Sequence, residues 1–331
     1  MNSEDYLRAM NEDTAMNAMK DLRIVFMGTP DFAVASLAAL VDAGCNIVGV
    51  ITAPDKPAGR GMKLTESAVK KYAVEKGLFI LQPEKLKNPD FITSLRALKA
   101  DLQVVVAFRM LPEIVWSMPP NGTINLHGSL LPHYRGAAPI HWAVINGEKE
   151  TGVTTFKLQH EIDTGDILLQ KSFVITPDET TGEVHDRMKE IGATVLVETV
   201  NGISENSLTE TKQIVLENEA ELKHAPKLFT EDCQINWDQS VDAIHNFIRG
   251  LSPFPGALSK LDNKILKIYL SKKEIVSTND TPGRVISDGK NYLKIAALDG
   301  YIHVLDLQLE GKKRMLIEDF LRGYRVLNTN N

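Results

Sequence analysis

The chain carries only two cysteines, Cys45 and Cys233, and neither sits in a paired-cysteine motif. Disulfide staples and cysteine-based zinc sites are therefore not expected, and a reducing compartment, the cytoplasm, is the default. No apolar run approaches the roughly 20 residues that cross a bilayer. Residues 1–21 hold Asp and Glu but no apolar segment and no small-residue cleavage site. They read as an N-terminal extension ahead of the first strand, not as a secretory signal. Glycine is scarce where a dinucleotide enzyme needs it: such a turn uses three spaced glycines, and here Gly28 stands alone before the first helix. No P-loop sequence occurs either, so an NAD-type oxidoreductase is disfavoured. His141, His160, His185, His224, His245 and His303 show no metal-ligand spacing, and no metal site is expected.

What is present fits a soluble globular protein. A length of 331 residues, 43% hydrophobic and 24% charged, implies two domains. The net charge of −6 argues against indiscriminate nucleic-acid binding. Its distribution is uneven, because from Lys260 onward 13 basic residues face 9 acidic ones, an excess of +4 that leaves the rest near −10. A local basic face and an ordinary solvated surface both fit that imbalance.

Leu22-Arg-Ile-Val-Phe-Met27 is an apolar run of the buried-strand type. Gly28-Thr29-Pro30-Asp31 follows, then an amphipathic stretch from Phe32 to Ala43, with Thr29 as the expected cap and Pro30 in the first turn. Gly44 closes that helix and Asn46–Ile51 supplies the next strand, a β-α-β unit with parallel strands. Helices are predicted at 66–76, 89–99 and 181–200, with strands at 78–80, 102–107 and 123–126. Residues 152–158 and 167–173 alternate like antiparallel partners. Residues 22–201 thus read as an open, mostly parallel α/β domain. The polar, weakly periodic segment 202–227 reads as a linker. After a helical patch at 239–250, short β-type runs at 257–261, 265–271, 283–287, 292–297 and 301–309 alternate with turns such as Asp262-Asn263 and Asp288-Gly289. Residues 228–331 are therefore expected to form a small β-barrel domain.

Asn125 and His127 stand two apart on a predicted strand, so both side chains point to one face. An amide donor and an imidazole on one side suit an oxygen that becomes negatively charged. The pair ends a strand of a parallel sheet, where open α/β folds place their ligand crevices. A Gly- and Pro-rich loop follows at once. Farther on, Asp163 and Asp166 lie in a turn between two strands. Asp163 can orient His127 or favour its protonated form, whereas Asp166 reads as turn chemistry.

The segment Asn125-Leu-His-Gly-Ser-Leu-Leu-Pro132, followed by Arg135-Gly-Ala-Ala-Pro-Ile140 and Asp163-Thr-Gly-Asp-Ile167, resembles the 10-formyltetrahydrofolate-dependent formyltransferase family. Phe26–Phe32, Asp55–Lys63, Ile235–Asp238 and Ile248–Gly256 extend the likeness along nearly the whole chain. The resemblance implies a Rossmann-like formyltransferase fold followed by an OB-like barrel, and 10-formyltetrahydrofolate as formyl-donor co-substrate without a metal. Asn125, His127 and Asp163 match the family's catalytic trio. Ser129, Leu130, Leu131 and Pro132 match its folate-binding loop. Phe108, Arg109, Met110 and Leu111 fall in a second loop lining the folate pocket, which here departs from the commoner Tyr-Gly-containing form. The insertion at 54–65 is similar to that of the members that formylate the α-amine of methionyl initiator tRNA. It implies that Lys56, Arg60 and Lys63 meet the phosphates of the acceptor arm, with further tRNA contacts from the basic C-terminal barrel. A formyltransferase for a small amine, such as a nucleotide sugar or glycinamide ribonucleotide, is the alternative; it would share the trio without needing the basic insertion. Neither a membrane nor an obligate protein partner is implied.

Overall fold

The computed structural model describes residues 21–58, 63–213 and 222–326. The first half follows the β-α-β pattern. Strand β1 (Arg23–Gly28) leads into α1 (Asp31–Asp42) and β2 (Asn46–Ile51). A hairpin of β3 (Lys56–Ala58) and β4 (Lys63–Thr65) precedes α2 (Ala68–Glu75), β5 (Ile80–Leu81), α3 (Pro89–Ala97) and β6 (Leu102–Val106). Next come α4 (Glu113–Trp116), β7 (Thr123–His127), β8 (Arg135–Gly136), α5 (Pro139–Ile145), β9 (Glu150–Lys157), β10 (Ile167–Val174) and α6 (Thr181–Ser204). These strands build a seven-stranded, Rossmann-like sheet in the order β10-β9-β7-β6-β1-β2-β5. Pairing is parallel from β5 through β2, β1 and β6 to β7, and β9 joins β7 antiparallel. The central strands β1 and β6 are buried along almost their whole length, as near-continuous Val and Ile runs require when both faces are covered.

Thr29 does not cap α1. Pro30 takes the cap position in extended backbone (φ −81°, ψ 176°), and no side chain accepts from the first turn. Helical geometry therefore starts at Asp31, one residue beyond the reach expected for Thr29, and the Asp31 carboxylate supplies negative charge beside the free N–H groups. Gly44 does close the helix: at φ 76° it donates from its N–H to the Val41 carbonyl at 3.0 Å.

The predicted cationic loop at 54–65 is a two-stranded ribbon at its flanks, with Lys56 opposite Thr65 and Ala58 opposite Lys63. Pro57 is tolerated because a short isolated ribbon leaves edges that need no N–H. Asp55 anchors the base of the ribbon by accepting from Lys70 Nζ and, at 2.8 Å, from Gln82 Nε2. Those donors hold its carboxyl below the usual carboxylate range. Residues 59–62, Arg60 among them, lie outside the described residues.

Two compact units emerge. One contains the described residues up to Arg135 together with Gly152–Ser172 and Asp186–Lys223; the other contains Gly136–Thr151, Phe173–His185 and the described residues from His224. In the second unit, β11 (His224–Ala225) precedes α7 (Val241–Gly250), and the chain continues through β12 (Ala257–Leu261), β13 (Lys264–Ile275), β14 (Val285–Ser287), β15 (Leu293–Ala297), β16 (Gly300–Leu309), β17 (Met315–Leu316) and α8 (Ile317–Gly323). The antiparallel sheet runs β12-β13-β16-β15-β14, with β17 on β16. It is a curled half-barrel, bent where β13 bulges between Ile268 and Ser271. The β12–β13 turn is made by Asp262 and Asn263 at φ 49° and 63°, the double left-handed geometry that tight hairpins favour. Ile244, Ile248, Ile268, Ile302, Leu307 and Phe320 form its core. Among the described residues no helix is long and apolar enough to cross a membrane.

In the first unit α6 is registered on the sheet by two buried hydroxyls. Thr199 Oγ1 donates to the Val195 carbonyl at 2.7 Å and therefore accepts from Thr155 Oγ1 at 2.8 Å, while Thr155 also accepts from the Leu169 N–H at 3.2 Å. Replacing Thr199 with Val removes the acceptor that Thr155 uses at the helix–sheet contact. The expected cost is about 1–3 kcal/mol, read as a lower denaturation midpoint; an unchanged midpoint would show that the hydroxyl pair contributes nothing.

Candidate active site

Strand β7 faces two ways. Leu126 lies under α6, where a Cβ added at Gly192 would come within 2.9 Å of Leu126 Cδ2. Asn125 and His127 therefore point to the opposite face, as their spacing requires. His127 is the last residue of β7, at the carboxyl end of the parallel β6–β7 pair. The loops that follow both strands leave from this edge.

The imidazole is held at one nitrogen and faces a carboxylate with the other. His127 Nε2 lies 2.8 Å from the Tyr134 carbonyl oxygen. A carbonyl can only accept, so Nε2 carries a hydrogen and Nδ1 is the nitrogen left facing the carboxylate. Nδ1 faces Asp163 Oδ2 at 3.9 Å, and both side chains are largely buried, at 7% and 11% exposed. That separation exceeds a direct hydrogen bond, which lies near 2.7–3.2 Å. A third polar atom at ~2.8 Å from both groups would meet them at an angle of roughly 90°, which is open geometry for a shared ligand atom. Asn125 is half-buried, and its carboxamide engages no described residue.

Three loops that border the site each hold one non-glycine residue in left-handed backbone: Ala107 (φ 46°), Tyr134 (φ 60°) and Asp163 (φ 56°). Such residues persist only where their surroundings over-determine them. At Asp163 the constraint is visible. Gln213 Nε2 donates to the carbonyls of Asp163 at 2.8 Å and Gly165 at 2.9 Å. Gly165 presses on β9 so closely that an added Cβ would lie 1.6 Å from the Lys157 oxygen.

The segment after β7 is organised from beneath by Thr154. Its hydroxyl donates to the Ser129 carbonyl at 2.7 Å, and accepts from the Leu131 N–H at 3.2 Å and from Gln170 Nε2 at 2.9 Å. Gln170 also donates to the Leu131 carbonyl at 2.9 Å. Ser129 is fully buried and donates to the His133 carbonyl at 2.7 Å. Leu131 is buried, while Leu130 and Pro132 are partly exposed. This predicted folate loop is thus rigid, with its backbone already positioned. In the other predicted loop Leu111 is buried and Phe108 packs on the core of the first unit. Arg109 donates to the carbonyls of Glu84, at 2.7 Å, and Pro83, with its guanidinium over the Phe108 ring. Met110 projects, 73% exposed. Lys56 is exposed on β3 and carries no ion pair among the described residues; Lys63 is placed by its β4 backbone.

The structure therefore brings His127 and Asp163 together, with Asn125 on the same strand face. Sequence patterning did not single out Thr154, Gln170 or Gln213. Thr154 and Gln170 had one usable signal, polar residues recurring on strands predicted to be half-buried, whereas Gln213 had none. Gly165→Ala should force the loop off β9. Hydrogen exchange of the 160–166 amides is expected to rise while exchange in β1 and β6 stays slow; unchanged loop protection would refute the close approach.

Residues 22–200 match the family described as formyl transferase, and residues 227–325 match the formyl transferase C-terminal domain. The methionyl-tRNA formyltransferase of Bacteroides fragilis (strain ATCC 25285) is 53% identical over 312 residues, covering 93% of this chain and 96% of that protein. The methionyl-tRNA formyltransferase of Phocaeicola vulgatus is 55% identical over 318 residues, covering 94% and 98%. The crystal structure of WlaRD, a sugar 3N-formyl transferase in the presence of dTDP and 5-N-formyl-THF, shares the fold with a TM-score of 0.63 at 22% identity, over 88% of this chain and 99% of that one.

Proposed function

This chain belongs to the formyl transferase family, and we propose that it moves the formyl group of 10-formyltetrahydrofolate onto the α-amine of methionine carried by initiator tRNA. The product is N-formylmethionyl-tRNA for translation initiation. The observation that carries the chemistry is the 3.9 Å gap between His127 Nδ1 and Asp163 Oδ2, beside the uncommitted carboxamide of Asn125.

The neutral amine attacks the formyl carbon, and the carbonyl electron pair moves onto oxygen. Asn125 Nδ2–H and the protonated Nδ1 of His127 donate to that oxygen. Asp163 Oδ2 accepts the proton that the amine loses on forming the C–N bond. Collapse of the tetrahedral species breaks the bond to folate N10, which takes up the proton held by Asp163 and leaves as tetrahydrofolate. The Tyr134 carbonyl accepts from Nε2, which leaves Nδ1 as the ring nitrogen directed at the reacting oxygen. The 129–132 and 108–111 loops are the walls that hold the folate.

The same reading divides the chain into a catalytic part, 22–201, a connecting part, 202–227, and a tRNA-binding part, 228–331. The two family matches support that division. Lys56, Arg60 and Lys63 meet the acceptor arm. In the C-terminal part, Lys273, Arg284, Lys294, Arg314 and Arg322 are paired with carboxylates. Lys260, Lys264, Lys272, Lys290 and Lys313 have no ion pair among the described residues and are free for phosphates. The reaction needs no metal and takes place in the cytoplasm.

Asn125→Ala is expected to lower kcat by about a hundred- to a thousandfold with little change in donor KM; an unchanged kcat would remove Asn125 from the mechanism. Labelled 10-formyltetrahydrofolate offered to charged initiator tRNA, charged elongator tRNA and small amines tests the acceptor. Label should enter initiator tRNA and the rate should fall steeply with salt, whereas transfer to a small amine alone would replace this reading with the sugar- or nucleotide-directed one. Lys56→Ala should raise the KM for tRNA and leave that for the folate unchanged.

A further inference from the structure

We infer that Gln213 is a positioning residue for the formyl-transfer site: its one carboxamide sets the gap between the His127 imidazole and the Asp163 carboxylate. This rests on the proposed roles of His127 and Asp163.

Gln213 lies in the polar stretch that sequence patterning reads as linker, yet it is 8% exposed. Its nitrogen donates to two carbonyls, those of Asp163 at 2.8 Å and Gly165 at 2.9 Å. Its oxygen accepts from Arg135 through Nη2 at 2.5 Å and Nε at 3.2 Å. A carboxamide has two donor hydrogens and two acceptor lone pairs, so every valence is used. The orientation is also unique. Exchanging O and N would set the oxygen against two carbonyls and the nitrogen against a guanidinium.

The two arms reach the two halves of the site. One arm holds the backbone of Asp163 itself, in the left-handed conformation that L-residues rarely adopt. The other holds Arg135, whose neighbour Tyr134 supplies the carbonyl that fixes His127 Nε2 at 2.8 Å. The imidazole and the carboxylate, 36 residues apart in the chain, are thus referenced to a single amide. The strap that bears it is itself anchored: Thr211 pairs with Ile167 by hydrogen bonds of 2.7 and 2.9 Å, just beyond the catalytic loop. With Gly165 against β9, the loop is pinned at 163, 165 and 167. An ordinary buried glutamine would need no such convergence on both partners of a reacting pair.

Gln213→Glu isolates one arm. It keeps an acceptor for Arg135 and turns the donor side into an oxygen facing two carbonyls. Displacement of a reacting group by about 1 Å costs on the order of a hundredfold in rate, so kcat for formylation of methionyl-tRNA should fall by about that factor, with both KM values changing little. Gln213→Met, of similar volume without the hydrogen bonds, should give a loss of the same sign. The decisive readout is a double-mutant cycle with Asp163→Asn. If Gln213 acts through Asp163, the second substitution costs far less in the Asp163→Asn background than alone. Full additivity, or an unchanged kcat in Gln213→Glu with only a lower melting temperature, would overturn the inference and leave Gln213 a structural residue. If Asp163→Asn alone retained full kcat, the failure would lie in the active-site reading, and the inference would fall with it.

Discussion

The parallel pairing of β6 with β7 is the constraint on which everything else depends. It brings the loops at 107–112 and 128–134 out of the same sheet edge and stops β7 at His127. The antiparallel addition of β9 then sets Thr154 opposite His127. From there its hydroxyl can hold the loop after β7 while the next turn returns Asp163 to the imidazole. The proposed site lies at this edge; the opposite face of β7 is covered by α6, and β6 is buried along its whole length.

The charge logic of the site follows from hydrogen-bond direction. A carbonyl at Nε2 can only accept, so that nitrogen is the donor and Nδ1 is the one that faces Asp163. Had a hydroxyl or a water stood in place of the Tyr134 carbonyl, the ring could have exchanged roles and the Asp163 side would not be uniquely reactive. The left-handed backbone at Tyr134 and Asp163 is the distortion by which the two loops aim their groups, sustained by neighbours that leave little alternative.

Much of this was legible in the sequence. Period two on a strand gave Asn125 and His127 a common face, and turns such as Asp262-Asn263 marked the strands of the half-barrel, whose β12 runs over the predicted 257–261. Folding physics at finer scale was not legible. Thr29 looked like a cap until Pro30 fixed the entry of α1 one residue later. The pairing of 56–58 with 63–65 was hidden because Pro57 argues against a strand and no apolar alternation marks it. The expected OB-like barrel is present as a curled antiparallel half-barrel, whose curvature at the β13 bulge no local pattern encodes. Gln213 was invisible for a plainer reason. Its environment consists of main-chain carbonyls and one guanidinium, which impose no periodicity and no apolar signature on the residues around it.

The strap at 211–213 bears on modularity. The β-α pattern ends near residue 201, and a protein engineer seeking a minimal catalytic module would cut there. Such a fragment would retain Asn125, His127 and Asp163 and every strand of the Rossmann-like sheet. It would also lose the residues that brace the Asp163 turn, Gln213 with its hydrogen bond to the Asp163 carbonyl among them. The first compact unit therefore extends past its last helix, and its carboxyl-terminal part is tied in by a hydrogen bond rather than by a secondary-structure element.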